Sequence, residues 1–116
     1  MKEQKQRWHD FTNYLILEAD GQGSVQLEIY DTPRSQFKVQ AYICRLFVEP
    51  EARRRGIAYS LMMAAEATAK ALGHDAIFLE WREGEGSKET LEWYHRLGYE
   101  DWGWNEDQIL LKKSLS

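Results

Sequence analysis

Apolar and polar positions follow two different periods along this chain. Val25, Leu27 and Ile29 alternate with polar residues, which is the period of a half-buried β-strand. Strand-like runs also cover residues 14–19 and 37–48, and the turn sequences DGQGS and DTPRS separate the three runs. The pattern therefore predicts a meander of antiparallel strands.

The pattern changes to a helical period after residue 56. Gly73 follows this segment as a typical C-terminal stop. A second amphipathic helix is predicted over residues 87–97, between a strand at 75–81 and two strands at 99–104 and 108–114. The apolar positions of the first helix are Ala58, Leu61, Met62, Ala65, Ala69 and Leu72.

These elements predict one mixed α/β (α+β) domain over residues 1–116, in which helices connect strands. No repeat, low-complexity tract or linker divides the chain. The first ten residues, MKEQKQRWHD, are polar. We predict a loose N-terminal arm or a short helix for them.

Composition narrows the function classes. The 116 residues carry a formal net charge of −4, which disfavours a general nucleic-acid binder because phosphate contacts need a basic surface. Cys44 is alone, so no intrachain disulfide can form, and no apolar run suits a membrane span or a secretory signal. We expect a cytoplasmic protein without nucleic-acid or membrane partners.

Positive charge is concentrated at the start of the first predicted helix. Arg53, Arg54 and Arg55 precede Gly56, although a helix N-terminus already carries partial positive charge. No Ser, Thr, Asp or Asn stands just before Gly56 to cap the helix, so its backbone N–H groups remain free for an anion such as a phosphate. A solvated helix start without a ligand is the alternative. The glycine patterns of nucleoside-triphosphate and dinucleotide loops are absent.

Two motifs resemble the GNAT superfamily of N-acetyltransferases. The segment VEPEARRRGIA, residues 48–58, is similar to the family's acyl-CoA loop with the signature Gln/Arg-x-x-Gly-x-Gly/Ala. The segment YHRLGY, residues 94–99, is similar to the family's Tyr-x-x-x-Gly-Phe/Tyr at the end of the second helix. With the strand between them, the likeness covers residues 37 to 114.

The resemblance implies a fold and a cofactor site. The fold is a GNAT-like mixed central sheet with an N-terminal antiparallel meander, a cofactor-binding helix, a second C-terminal helix and a final antiparallel strand pair. Backbone groups of the loop would hold the pyrophosphate of coenzyme A, and the strand before it would pair with the pantetheine arm. The implied cofactor-binding residues are Leu46, Phe47, Val48, Arg53, Arg54, Arg55, Gly56, Ile57, Ala58, Ser87 and Tyr94.

The chain departs from the family's pattern in three places. Ser87 and Thr90 stand where Asn and Ala are usual, and the loop REGEGS is slightly long. The pair of helices usual between the family's first two strands is not predicted. The cofactor half therefore resembles the family more than the acceptor half does.

The chemistry of acetyl transfer assigns a role to Tyr94. Moving an acetyl group from a thioester to an amine needs a neutral nucleophile, donors for the developing oxyanion and a proton for the departing thiolate. The resemblance places Tyr94 at the sulfur, and a phenol with an ordinary pKa of about 10 can supply that proton. The alternative is that Tyr94 only packs in the core with Leu91 and Leu97. Backbone N–H groups freed where two parallel strands separate would stabilise the oxyanion.

A general base is less well defined by the sequence. Glu49 is the catalytic carboxylate that we name, and Glu51 and Glu80 are further candidates, acting directly or through water. A solvated side chain without a catalytic role is the alternative for each of them.

The remaining reactive residue types point to no second chemistry. The three histidines lack metal-ligand spacing, so we expect no metal. Cys44 lies in an apolar strand, where we expect a small buried residue, with a Cys44/His95 nucleophile as a weaker alternative. Four tryptophans leave two alternatives open: they pack in the core, or they are exposed and form an acceptor wall or a subunit interface. These are Trp81, Trp93, Trp102 and Trp104.

The motifs predict an N-acetyltransferase that moves an acetyl group from acetyl-CoA to a primary amine by direct attack on the thioester. A non-catalytic domain of the same fold, binding acyl-CoA or a protein partner, is the alternative. Acidic residues near the strand ends suit a cationic acceptor, either a small molecule or a protein amine. A homodimer, in which a second copy of the chain completes the acceptor side, is a further alternative.

Overall fold

Seven strands form one mixed sheet, and two α-helices pack against it. The computed structural model describes all residues from Met1 to Ser116. The strands are β1 (Lys2–Arg7), β2 (Phe11–Leu17), β3 (Gly23–Arg34), β4 (Val39–Val48), β5 (Ala76–Arg82), β6 (Glu100–Asn105) and β7 (Gln108–Ser114). The helices are α1 (Ile57–Ala71) and α2 (Lys88–Arg96), and a short 3-10 helix (Pro50–Ala52) follows β4.

The strand order is β1-β2-β3-β4-β5-β7-β6, in which β2, β3 and β4 form the predicted three-stranded antiparallel meander and β1 extends it by one strand. The last two strands form the predicted antiparallel pair, with β7 inserted between β5 and β6. The prediction of a mixed sheet is confirmed, and so is the prediction that one helix precedes β5 in the sequence and the other follows it.

The prediction of a loose N-terminal arm or a short helix is wrong. Residues 2–7 form the edge strand β1, which pairs with β2 from Lys2↔Leu17 to Arg7↔Thr12. All six side chains are exposed, so no apolar alternation marks the strand. A polar edge strand is held by backbone hydrogen bonds to its neighbour, and its charges discourage pairing with another chain.

The only parallel pair of strands is β4 with β5, and it has a single residue pair in register, Tyr42↔Phe78. The strands separate beyond this point, so part of the edge of β4 has no strand partner. Arg45 adopts φ 53° at a bulge where β4 carries one more residue than β3. Such bulges bend a strand and increase its twist locally.

Both helices cover the same face of the sheet. Leu61 and Met62 of α1 are fully buried with Leu27 and Ile77 of the strands in one apolar cluster. Four apolar residues of the second helical segment pack against that cluster: Leu91, Trp93, Tyr94 and Leu97. The other face carries no helix, because β1 and β2 are joined only by residues 8–10. We call it the helix-free face.

A buried carboxylate joins α1 to the C-terminal strands. Glu66 lies among the apolar residues of α1, and its two oxygens accept hydrogen bonds from the Tyr99 hydroxyl at 2.9 Å and from the Lys113 ammonium at 2.7 Å. Burial and the neighbouring carboxylate raise the pKa of Tyr99, so this phenol stays protonated and donates. The three side chains fix the position of α1 against β7.

Glu66→Ala is expected to lower the free energy of unfolding by about 2–4 kcal/mol, because it leaves a buried hydroxyl and a partly buried ammonium without an acceptor. Urea denaturation followed by tryptophan fluorescence measures the loss. Glu92→Ala on the exposed side of α2 is the control and should stay within about 0.5 kcal/mol of wild type. Equal losses in both variants would show that Glu66 does not stabilise the packing of α1.

Candidate active site

The loop between β4 and α1 has an unusual backbone. Arg54 and Gly56 both have positive φ, 68° and 77°, and Gly56 is the N-terminal cap residue of α1. The left-handed region costs a residue with a Cβ about 1–2 kcal/mol, so the Arg54 conformation has to be held by its surroundings. The Arg53 side chain contributes, because its Nε donates a hydrogen bond to the Val48 carbonyl oxygen at 3.1 Å.

This conformation leaves a row of backbone donors without partners. The N–H groups of residues 54–59 donate to no acceptor in the protein, and the first bond at this end of α1 runs from the Ser60 N–H to the Gly56 carbonyl at 3.0 Å. No side chain caps the helix, as the sequence predicts. Successive free N–H groups at a helix N-terminus form a site for an anion such as a phosphate.

A cavity of about 240 Å³ lies beside these donors. It brings together many of the predicted cofactor-binding residues: Val48, Arg53, Arg54, Gly56, Ile57 and Ala58. Ala52 and the aromatic residues Tyr59 and Trp93 complete its wall. No sequence signal placed Tyr59 or Trp93 beside this loop, because Trp93 reaches the loop only through the packing of α2 beside α1.

The other predicted cofactor-binding residues lie outside this wall. Leu46 is half-buried against the core, and Phe47 and Arg55 are exposed. Ser87 is the N-terminal cap of α2, where its Oγ accepts a hydrogen bond from the Thr90 N–H at 3.1 Å. The capping role accounts for Ser87 without a ligand.

Tyr94 lies on α2 between two aromatic neighbours. Its ring centroid is 5.4 Å from that of Trp93 and 6.1 Å from that of Tyr99, in an edge arrangement with the latter. Burial raises the pKa of Tyr94, and no hydrogen bond within the protein contributes to this shift. Its hydroxyl is thus protonated at neutral pH and available as a donor, although the ring packs against the core as in the alternative interpretation.

The candidate bases lie in different environments. Glu49 is half-buried at the start of the 3-10 helix, where its backbone N–H donates to the Gln22 carbonyl at 2.8 Å and its side chain makes no polar contact. Glu51 is exposed. Glu80 lies on β5 on the helix-free face, where one carboxylate oxygen accepts a hydrogen bond from the Tyr42 hydroxyl at 2.7 Å.

Cys44 does not form a nucleophilic site. It is half-buried on the helix-free face rather than buried in the core, which corrects the expectation of a buried residue. Burial and the nearby Glu28 carboxylate raise the pKa of its thiol to about 11, so the reactive thiolate is scarce at neutral pH. His95 instead pairs with Asp101, with 2.7 Å between Nε2 and Oδ1.

The tryptophans include both core residues and exposed residues. Trp81 is buried in the core, and its Nε1 donates to the Ser87 carbonyl at 3.0 Å. Trp102 and Trp104 on β6 are 46% and 74% exposed, so they are surface residues.

Neither helix has the length and apolar character that a membrane span requires, and no three metal-ligating side chains are grouped closely enough to hold a metal ion.

Comparison with known proteins agrees with this geometry. The family described as acetyltransferase (GNAT) domain matches residues 10–101. The chain belongs to this GNAT acetyltransferase family. A search of curated protein sequences finds no match.

Solved structures share the fold at low sequence identity. An acetyltransferase from Bacillus cereus is 23% identical with a TM-score of 0.66, over 88% of this chain and 71% of that chain. PaiA N-acetyltransferase from Thermoplasma acidophilum, in complex with coenzyme A, is 20% identical with a TM-score of 0.65, over 90% of this chain and 59% of that chain. A GNAT-family acetyltransferase from Staphylococcus aureus is 15% identical with a TM-score of 0.67, over 91% and 69%.

Gly56→Val is expected to weaken coenzyme A binding by about tenfold or more, because a β-branched residue disfavours the left-handed conformation of residue 56 in the middle of the row of free N–H groups. Arg54→Ala should weaken binding less, since it removes one exposed charge and keeps those donors. Calorimetric titration with coenzyme A measures both.

Gly73→Val is the matched control for this experiment. Gly73 also has positive φ, 93°, with open space where a Cβ would stand, but it lies at the opposite end of α1. It should lower the melting temperature about as much as Gly56→Val does and leave the affinity for coenzyme A unchanged. Wild-type affinity in Gly56→Val would refute the placement of the pyrophosphate.

Proposed function

We propose that the protein is an acetyl-CoA-dependent N-acetyltransferase that acts on a primary amine. The observation that carries the proposal is the row of free backbone donors at residues 54–59, next to a cavity lined by the family's acyl-CoA motif. The N–H groups would hold the pyrophosphate, and Arg54 and Arg55 would add positive charge. The exposed edge of β4 near Leu46, Phe47 and Val48 would pair with the pantetheine arm.

The proposed reaction is a direct transfer. The amine loses a proton to become a neutral nucleophile and attacks the carbonyl carbon of the thioester, so that a C–N bond forms and the C–S bond breaks. The nitrogen gives up its second proton to water as the amide forms, and the thiolate takes the phenolic proton of Tyr94, which regains a proton from water. The products are the acetylated amine, coenzyme A as the free thiol and one proton. Backbone N–H groups where β4 and β5 separate would stabilise the oxyanion.

Two carboxylates are proposed as acceptors of the amine's proton. Glu49 follows β4 directly and has a side chain free of polar contacts. Glu80 lies on β5 close to the point where β4 and β5 separate. Glu49→Gln and Glu80→Gln distinguish them, because the true base should show the larger fall in kcat with little change in the affinity for coenzyme A.

A non-catalytic domain that binds acyl-CoA or a protein is the second candidate. The observation that favours it is the helix-free face, since no helices between β1 and β2 enclose an acceptor there. A homodimer could supply the missing wall. Thermal stabilisation by coenzyme A, measured beside acetyl-CoA turnover on a panel of amines, separates the candidates: turnover supports the enzyme, and stabilisation without turnover supports the binding domain.

Tyr94→Phe is expected to reduce kcat by roughly two orders of magnitude or more, because it removes the proton donor of the leaving thiolate. The melting temperature and the affinity for coenzyme A should barely change, since the hydroxyl makes no hydrogen bond within the protein. The loss should shrink with an acyl donor whose thiol is more acidic. In the wild type, ionisation of Tyr94 should reduce kcat only above the ordinary phenol pKa of about 10, because burial raises its pKa.

Tyr99→Phe provides the control for loss of a phenol oxygen. It breaks the hydrogen bond to Glu66, so it should cost about 1–2 kcal/mol of stability and leave kcat near the wild-type value. Full kcat in Tyr94→Phe on a verified acceptor, with chemistry limiting the rate, would make Tyr94 a structural residue.

A further inference from the structure

A second cavity, of about 340 Å³, lies on the helix-free face. Its floor contains Tyr42 of β4 and Glu80 of β5, and Tyr42 is the residue that pairs with Phe78 where the two strands are last in register. We call this cavity the sheet-face pocket. It lies on the face of the sheet opposite the helices and beside the point where β4 and β5 separate.

The walls of the sheet-face pocket come from segments far apart in sequence. The tip of the β3–β4 hairpin reaches across to β6, where the ring of Phe37 lies so close to Gly103 that a Cβ there would be 2.6 Å from its Cζ. Tyr30 and Trp104 supply further aromatic surface, and Leu110 supplies an aliphatic contact. The pocket therefore offers four aromatic side chains, counting Tyr42 and Phe37, around one carboxylate.

The charge of the pocket favours a cation. The Tyr42 hydroxyl donates to one oxygen of Glu80, and no Lys, Arg or His forms an ion pair with this carboxylate, so its second oxygen can accept a hydrogen bond from a ligand. Arg34 also lines the pocket, but its guanidinium pairs with Asp10 and lies 4.0 Å from the centroid of the Tyr30 ring. In that contact, the guanidinium cation of Arg34 lies against an aromatic ring of the pocket wall.

We propose that the sheet-face pocket binds the acceptor as a small protonated primary amine with an aromatic or apolar body, its ammonium group at Glu80. This inference rests on the proposed function and names the substrate class for it. The rings of Phe37 and Trp104 contact the apolar body, and Trp104, 74% exposed, loses surface to water when the ligand binds. The ammonium gives its proton to water or to Glu80, and the neutral nitrogen then faces the gap between the strands.

The test is calorimetric titration of 2-phenylethylamine into the protein saturated with coenzyme A, which needs no turnover. We expect binding to the wild type and at least about tenfold weaker binding to Glu80→Gln, which removes the charge and keeps an acceptor for Tyr42. Glu83→Gln removes the same charge from an exposed residue without a side-chain partner, and it should bind like wild type. The neutral isostere 2-phenylethanol should bind at least about tenfold more weakly than the amine.

A second pair of variants tests the aromatic wall. Trp104→Ala should weaken amine binding about 3- to 30-fold, the range expected for a cation–π and stacking contact. Trp102→Ala on the same strand is the control, because Trp102 lies outside the pocket against Lys112, 4.1 Å from its ring centroid, and it should bind like wild type. Titration with coenzyme A alone checks that each variant keeps its cofactor site.

The outcomes separate this inference from the proposed function. Amine binding that depends on Glu80 and Trp104, without acetyl transfer, supports the pocket and refutes the enzyme. Acetylation of a lysine peptide without binding of 2-phenylethylamine supports the enzyme and overturns the pocket in favour of a protein amine. Equal binding of the amine to wild type, Glu80→Gln and Trp104→Ala also overturns it.

Discussion

The separation of β4 and β5 is the constraint on which the rest of the structure depends. The two strands are parallel and share one residue pair in register, so they cannot continue as neighbours in a regular ladder. The connection between them must cross the sheet, and α1 makes that crossing on the face that carries the apolar cluster. The unpaired edge of β4 follows from this separation, and the free donors at the uncapped start of α1 lie in the loop that follows that strand.

The two faces of the sheet have different roles because only one carries helices. On the helical face, α1 and α2 bury apolar residues, and Glu66 is tolerated there because Tyr99 and Lys113 satisfy its carboxylate. On the helix-free face, the β3–β4 hairpin contacts β6 instead, with Phe37 packed on Gly103.

Two partly buried tyrosines on the helix-free face each donate a hydrogen bond to a carboxylate and have a raised pKa. Tyr30 donates to Glu28 at 2.9 Å, and Tyr42 donates to Glu80. Burial raises the pKa of Tyr30 to about 12 and raises that of Tyr42 further. Both phenols thus stay protonated at neutral pH, and the stability that they contribute is lost only as the pH rises above the unfolded-state value of about 10.

The sequence by itself determined the antiparallel meander of β2 to β4, both helices and the uncapped start of α1, because the apolar period, Gly56 and the absent capping side chain act over a few residues. It did not reveal β1, whose polar residues show no apolar alternation and whose place is set by pairing with β2. Nor did it reveal Trp93 beside the loop or Phe37 against Gly103, contacts between segments distant in sequence. Only the tertiary structure decided these, since the side chains meet through strand order and helix packing, which no local pattern encodes.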